Sequence, residues 1–265
     1  MIRVSNHPRP LTSPLLTAAG FRHAFFTCEG GVSSGPFASL NFSYSVGDEQ
    51  GNVEQNLGRA AAWLDVSPEN LFFAQQVHGT SAVALQRDYT AEAVRALQAD
   101  AIVGSCVWQA CCVRTADCAP VLVADRIGGQ VAAVHAGWRG VASKILPHTL
   151  QILFDMGCKP ENLIASIGPH IRVDAFEVSE EVAQLINEAT PGLDVTRRVD
   201  GQRPHVSLAD SLVEQLIRVG VSRSCIDDVG GCTFAEPARF FSYRRSGPAS
   251  GRHLHAILPR GPHGA

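Results

Sequence analysis

The stretch ACCVRTADCAPVLVADRIGGQVAAVHAGWRG, residues 110–140, decides the fold that the sequence predicts. It contains three short apolar runs at 110–114, 120–124 and 130–135, and runs of this length and composition are typical of buried strands. The glycine-containing segment 125–129 predicts a hairpin turn between the second and third runs. A helix is predicted over 141–156, with Gly157 at its C-terminal cap.

The segments on either side of this stretch continue the mixture of strands and helices. A glycine-rich loop is predicted at 29–36, after the first strand. Further strands are predicted at 24–27, 71–76, 101–103, 163–167, 240–243 and 255–258, and further helices at 52–64, 179–188 and 208–219. Hairpin-joined strands interleaved with helices favour an α/β protein of the α+β type with mixed sheets, rather than a pure parallel strand–helix repeat.

The composition excludes several classes of protein. Of the 265 residues, 45% are apolar and 18% are charged, which is sufficient for a packed core and too few charges for a disordered chain. The formal net charge of −3 gives no global attraction to nucleic acid or to an anionic membrane, so anion binding must be local. No oligomeric state is predicted.

The chain is expected to be cytoplasmic. No apolar stretch is long enough to span a bilayer, and residues 1–14 have three prolines and no apolar region of a signal peptide. The eight cysteines follow no framework spacing, so mostly free thiols are predicted in a reducing compartment.

Three distant segments each carry one metal-ligand side chain near the end of an apolar run: His78 in QVHG, Cys118 in TADC and His135 in VHAG. Two imidazoles and a thiolate form a three-ligand zinc set that leaves a fourth position for water or substrate, as catalytic sites do. Only tertiary structure could assemble residues so far apart. A backbone-bonded loop His78, a buried apolar Cys118 and a satisfied core His135 are the alternatives.

Nearby charged residues could complete such a site. Arg139 follows the third segment, and Arg244 and Arg245 follow Phe240–Tyr243. Arginine binds phosphate or carboxylate in a bidentate manner, although surface ion pairs would use the same residues. Asp117, next to Cys118, is either an acid/base group or a turn residue.

Six motifs in this order resemble the bacterial laccase-domain family, also described as multicopper polyphenol oxidase-like or purine nucleoside phosphorylase family proteins. The resemblance extends over nearly the whole chain, from about residue 21 to residue 259. It implies an N-terminal extension at residues 1–20 and one domain at residues 21–260. This domain would have α/β/β/α layers and a relationship to a bacterial deamidase toxin. The motifs are QVHG (76–79), TADC (115–118), HAGWRG (135–140), IGP (167–169), CT (232–233) and FSYRR (241–245).

The resemblance also implies a function. It implies phosphorolysis of adenosine, inosine and methylthioadenosine, with purine nucleosides and phosphate as small-molecule partners, together with deamination of adenosine to inosine. The cofactor would be Zn²⁺, with copper as an alternative. The implied metal ligands are His78, Cys118 and His135; the catalytic residues are Cys118, His135 and Asp117; and the residues that bind substrate or phosphate are Arg139, Arg244 and Arg245.

The sequence departs from the family pattern at two positions where relatives carry arginine. Cys28 and Leu57 occupy these positions, and phosphate binding would suffer if either arginine contributes to it. His170, after the IGP motif, is either a pocket residue or a solvated loop histidine.

Three other functions are compatible with the residues. In an amidase acting on cell-wall precursors, Cys118 would be the nucleophile and His135 its base. A non-catalytic metal-binding protein would need a fourth ligand, for which Cys232 and His170 are candidates. The third function is that of a polyphenol oxidase, but the sequence lacks the multi-histidine clusters of true multicopper oxidases.

Overall fold

The strands form two mixed sheets and one small hairpin sheet. The computed structural model describes residues 7–261 of the chain. The strands are β1 (His23–Phe25), β2 (Leu71–Phe72), β3 (Ala82–Ala84), β4 (Ala101–Gly104), β5 (Ala110–Thr115), β6 (Ala119–Asp125), β7 (Val131–Ala136), β8 (Leu163–Ile167), β9 (Thr196–Arg197), β10 (His205–Val206), β11 (Ile226–Asp228) and β12 (His253–Ile257). The α-helices are α1 (Pro14–Ala18), α2 (Gln50–Leu64), α3 (Ala91–Arg95), α4 (Trp138–Ala142), α5 (Ile145–Asp155), α6 (Glu180–Glu188), α7 (Leu208–Arg218) and α8 (Tyr243–Ser246).

The two larger sheets have four and six strands. The four-stranded sheet has the order β1–β12–β5–β2, and the six-stranded sheet has the order β11–β8–β6–β7–β4–β3. The pairs β2–β5, β3–β4 and β8–β11 are parallel, whereas the other pairs in these sheets are antiparallel. The predicted hairpin is confirmed, since β6 and β7 pair in antiparallel register across the turn at Gly129.

The central strands are apolar on both faces because both faces are buried. Val121 and Val123 of β6 point towards the helices, while Leu122 and Ala124 point towards the other sheet. Such alternation follows from the two-residue period of a strand. It explains why this region of the sequence consists of continuous apolar runs.

Three apolar cores separate four layers. One core lies between the six-stranded sheet and α4, α5, α6 and α7, a second between the two sheets, and a third between the four-stranded sheet and α2. The predicted α/β fold with mixed sheets and α/β/β/α layers is therefore confirmed. A relationship to the deamidase toxin stays a prediction.

Three predicted elements differ from the structure. The helix over 141–156 is interrupted, because Lys144 adopts a left-handed conformation (φ 63°) between α4 and α5. The prediction of a strand over 240–243 is wrong, because the Ser242 side chain accepts a hydrogen bond from the Arg245 N–H and caps the short helix α8. The strand over 71–76 is limited to β2, beyond which Gln75 bridges to Gln98 outside the sheets.

The N-terminal segment packs on the domain from residue 11 onwards. Leu11 bridges to Phe25, the Ser13 hydroxyl donates to Asp227, and Leu16 is fully buried. Residues 1–6 of the predicted extension lie outside the described residues.

None of the helices within residues 7–261 is both long and apolar enough to cross a membrane. All eight cysteines are free thiols, as the sequence predicts.

Candidate metal centre

The structure brings His78, Cys118 and His135 together. Their ligand atoms all lie within 4.8 Å of one another, and Cys118 Sγ is 3.9 Å from His78 Nε2. Cys118 immediately precedes β6, His135 is the penultimate residue of β7, and His78 lies in the loop that follows β2. Within residues 7–261, no fourth His, Cys, Asp or Glu joins this set. The arrangement is therefore an open three-ligand set of the kind that catalytic zinc sites have.

Asp100, a fully buried residue that the sequence did not single out, holds two of the ligands in place. Its Oδ1 accepts hydrogen bonds from His135 Nδ1 (2.8 Å) and the His78 N–H (2.9 Å). Its Oδ2 accepts from the Gly79 N–H at 2.7 Å and the Val77 N–H at 3.3 Å. Because a carboxylate accepts the Nδ1 proton, Nε2 is the nitrogen of His135 that is left to bind a metal.

The pKa of Asp100 fits this role. Burial alone would raise that pKa, but the hydrogen bonds from His135 and from the Gly79 and His78 N–H groups outweigh burial and lower it. The carboxylate is therefore charged while it orients the histidine.

Electrostatics at Cys118 favour the thiolate. Burial opposes its charge, but the charges and hydrogen bonds of His135 and His78 lower the pKa of Cys118. In the same pair, burial opposes the imidazolium, while Cys118 and Asp100 raise the pKa of His135. Without a metal the thiolate therefore faces a protonated His135. A borderline metal such as zinc would take the place of that proton, so the residues present fit the group that the family implies.

Asp117 shapes the turn that presents Cys118. Its backbone has φ 90°, an uncommon conformation for a residue with a side chain. The buried carboxylate accepts hydrogen bonds from Thr233 Oγ1 (2.6 Å), Ser242 Oγ (3.0 Å) and the Arg244 N–H (2.6 Å). These bonds occupy both oxygens and stabilise the strained turn. The geometry is that of a positioning residue.

Gly137 lets the ligands approach the start of α4. A Cβ atom at this position would lie 2.9 Å from Cys118 Sγ and 3.0 Å from His78 Cδ2. Gly137 has φ −74°, which any residue can adopt, so only space requires glycine here. At Gly79, by contrast, the nearest atom to an added Cβ is 3.5 Å away. Of Gly79 and Gly137, only Gly137 must be a glycine for the ligands to approach closely.

We expect Gly137→Ala to weaken metal binding at this site by about tenfold or more, because the added methyl group displaces two ligands and leaves the backbone unstrained. Titration of zinc against a competing chelator measures the change. Gly79→Ala is the matched control and should retain the wild-type zinc affinity. Equal affinity of the Gly137→Ala and wild-type proteins would contradict this account of the turn.

The three ligands open into a pocket of about 880 Å³. Arg139 lines it with its guanidinium over the Trp138 ring, 4.3 Å from the centroid. Arg244 also lines it, with its guanidinium 5.3 Å from the centroid of Phe176. Arg245 does not line the pocket: its guanidinium donates to the carbonyl groups of Thr233, Phe234 and Phe240.

The two positions that depart from the family pattern also lie outside the pocket lining. Cys28 is buried beside Phe241, and Leu57 belongs to the core under α2. His170 is buried and its Nδ1 binds the Gly168 carbonyl at 2.8 Å, so it is not a solvated loop histidine. Cys232 accepts a hydrogen bond from the Arg172 N–H.

Four residues at the site were not found from the sequence. They are Asp100, Arg95, Arg114 and Arg252, of which the three arginines line the pocket. The sequence does contain a signal for two of them, since Arg114 is a charge at the end of the predicted apolar run 110–114 and Asp100 immediately precedes β4. A charge adjoining a buried strand is costly unless it has a partner, and this marks it as a candidate.

The fold and this centre define a single-domain α/β protein with an open, three-ligand metal-type site in an arginine-rich pocket. The chain belongs to the family described as multi-copper polyphenol oxidoreductase laccase, whose model matches residues 22–260. Its curated relatives include a purine nucleoside phosphorylase of Bacteroides thetaiotaomicron, 31% identical over 97% of this chain and 99% of the relative. A purine nucleoside phosphorylase of Pseudomonas aeruginosa is 38% identical over 89% and 93% of the two chains.

Solved structures show the same fold. YlmD from Geobacillus stearothermophilus is 29% identical, with a TM-score of 0.86 over 95% of this chain and 97% of that one. Protein NMB0706 of Neisseria meningitidis is 32% identical, with a TM-score of 0.82 over 96% and 100% of the two chains. The resemblance predicted from the motifs is therefore confirmed over the whole domain.

Proposed function

We propose that this protein is a zinc-dependent purine nucleoside phosphorylase of the cytoplasm, with adenosine, inosine and methylthioadenosine as substrates. The observation that carries the proposal is the open three-ligand set within a pocket lined by five arginines. The names of the relatives support the same reaction class.

His78, Cys118 and His135 would hold the metal ion, and Asp100 would keep His135 oriented through Nδ1. When bound, zinc would supply a Lewis acid that polarises a substrate oxygen. The rings of Trp138 and Phe176 offer flat apolar surfaces against which a purine base can stack.

The pocket arginines supply what phosphate requires. The five arginines, among them Arg139 and Arg244, carry positive charge into a pocket whose lining contains a single carboxylate, that of Asp117. Because Asp117 accepts three hydrogen bonds already, it leaves the positive charge of the pocket available to an anion. Phosphate held there would be oriented for attack on C1′ of the ribose, while the nucleoside is fixed by its base.

An amidase is the second candidate, and a specific observation favours it. The ligand atoms of Cys118 and His135 lie within 4.8 Å of each other, and His135 in turn binds Asp100 at 2.8 Å. This is the order of nucleophile, base and orienting carboxylate in Cys–His hydrolases. Cleavage of an amide in a cell-wall precursor would use the same three residues without a metal.

Incubation of the zinc-loaded protein with adenosine, with and without phosphate, tests the proposal. We expect adenine and ribose 1-phosphate, formed only when phosphate is present. Inosine formed without phosphate would indicate deamination, and oxidation of a phenol would support the polyphenol oxidase label. Failure to cleave any of the three nucleosides in the presence of phosphate would overturn the proposal and favour the amidase.

A further inference from the structure

Three arginines that were not among the predicted site residues line the pocket. They are Arg95, Arg114 and Arg252, here called the arginine cluster. Each is half-buried. Arg95 comes from the end of α3, Arg114 from β5, and Arg252 immediately precedes β12. The topology therefore brings three separate segments together to place like charges in one pocket.

The cluster is organised around the ring of Phe73. The guanidinium carbons of Arg95 and Arg114 lie 4.8 Å and 4.5 Å from the ring centroid. Stacking on an aromatic face stabilises each cation and leaves the in-plane N–H groups free to donate. The ring therefore orients the two guanidinium groups without consuming their donors.

Few of these donors have partners within the described residues. The guanidinium of Arg95 makes no hydrogen bond there, and its Nε is buried without an acceptor. Arg114 Nη2 reaches only the Ala74 carbonyl, at 3.4 Å. Arg252 Nη1 donates to the carbonyl groups of Ser250 and Gly251, and the other two nitrogens of its guanidinium have no acceptor there.

No ion pair neutralises the cluster within the part of the chain that the structure describes. The ion pairs formed within residues 7–261 include none of the three arginines. Burial, followed by the charges of Arg95 and Arg252, lowers the pKa of Arg114 to about 10. Like charges brought together under partial burial are costly, and an anion bound between them would offset that cost. In a chain with a net charge of −3, this concentration of positive charge is local.

We propose that the arginine cluster is a binding subsite for a phosphoryl oxyanion, either free orthophosphate or a phosphoryl group carried by the nucleoside. The subsite is separate from Arg139 and Arg244, which lie on the Trp138 and Phe176 rings and would face the nucleoside. The identification of the occupant as orthophosphate rests on the proposed phosphorolysis, whereas the oxyanion subsite rests on the cluster alone.

The subsite adjoins the candidate metal centre. Burial lowers the pKa of Arg252, and the charges of Cys118 and Asp117 oppose that lowering. Arg252 also lies over the Tyr243 ring, 5.6 Å from the centroid. An oxyanion on the cluster would therefore lie within the same pocket as a nucleoside bound beside the metal ligands.

Calorimetric titration of the zinc-loaded full chain with inorganic phosphate, inosine and inosine 5′-monophosphate tests the proposal. We expect Arg95→Gln and Arg252→Gln each to weaken phosphate binding by about tenfold or more, the effect of losing a charge-assisted hydrogen bond. Affinity for inosine should not change. Arg114→Lys provides a conservative change at the most enclosed position, and Arg87→Gln, an exposed arginine outside the pocket, is the matched control.

The outcomes separate this proposal from the proposed function. Loss of phosphate binding together with a raised KM for phosphate in phosphorolysis supports both. If the substitutions weaken the binding of inosine 5′-monophosphate but not of inorganic phosphate, the oxyanion subsite is supported and the proposed phosphorolysis is contradicted. Wild-type affinity for both phosphate and the monophosphate in Arg95→Gln and Arg252→Gln proteins that remain folded would overturn the subsite, as would a larger effect of Arg139→Gln on phosphate.

Discussion

Replacement of Cys118 by serine is expected to remove zinc from the protein, with an affinity at least about 100-fold below that of the wild type. Cys118 is the only thiol of the three-ligand set, and its lowered pKa favours the charged thiolate that a metal binds. Changes to residues that only orient a ligand already cost about 10- to 100-fold in metal affinity, so loss of a direct ligand should reach the upper end or exceed it. Metal analysis of the purified proteins should find one zinc per wild-type chain and none in Cys118→Ser.

Cys232→Ser is the control for this experiment. Cys232 is a half-buried thiol that the sequence offered as a fourth ligand, and the structure places it against the Arg172 N–H. The Cys232→Ser protein should retain its zinc. Loss of zinc in Cys232→Ser, or full retention in Cys118→Ser, would contradict the three-ligand set.

His78→Ala distinguishes a ligand from a nucleophile at position 118. If Cys118 binds zinc, His78→Ala should lose both the metal and phosphorolysis, because two ligands rarely hold zinc. If Cys118 is a nucleophile, His135 and Asp100 remain in place and amide hydrolysis should continue. Full amidase activity in metal-stripped wild-type protein would therefore overturn the metalloenzyme proposal.

Replacement of Asp100 by asparagine should have the second-largest effect. The carboxylate accepts four hydrogen bonds, from His135 Nδ1 and from three consecutive N–H groups at residues 77–79. An asparagine NH₂ group would face donors and leave at least one of them unpaired in a fully buried position. We expect zinc affinity to fall by about 10- to 100-fold and the free energy of unfolding by about 1–3 kcal/mol.

Asp125→Asn is the matched control for this change. Asp125 is also a buried aspartate that accepts a backbone N–H, from Ile127 in the β6–β7 turn. Its replacement should leave zinc affinity unchanged. Chelator competition and denaturant unfolding measure the two quantities. If Asp100→Asn bound zinc as tightly as the wild type, Asp100 would not orient the ligands.

The structure revises the roles assigned to individual residues. Arg245 belongs to the FSYRR motif, yet its guanidinium donates hydrogen bonds to backbone carbonyl groups of residues 233, 234 and 240 and does not line the pocket. Arg95 and Arg252 belong to no quoted motif, yet both line the pocket. The catalytic role predicted for Asp117 remains untested, and its three hydrogen bonds favour a role in positioning Cys118.

The sequence by itself determined the elements whose signals are local. The strands around β6 and β7, their hairpin and the cap of α6 by Ser179 follow from apolar runs, turn residues and capping chemistry within a few residues. The motifs also fixed the family and the identity of the three candidate ligands. Local signals failed at Lys144, whose left-handed backbone separates α4 from α5, and at Ser242, whose hydroxyl donates to the distant Asp117.

Only the tertiary structure decided how His78, Cys118 and His135 meet, and which charges surround them. Asp100 reaches His135 across neighbouring strands, and Arg95, Arg114 and Arg252 converge from three distant segments. Burial and hydrogen bonding depend on these long-range contacts, and they set the charge state and orientation of each group. The sequence therefore predicts which ligands are present, whereas the fold determines their geometry and electrostatics.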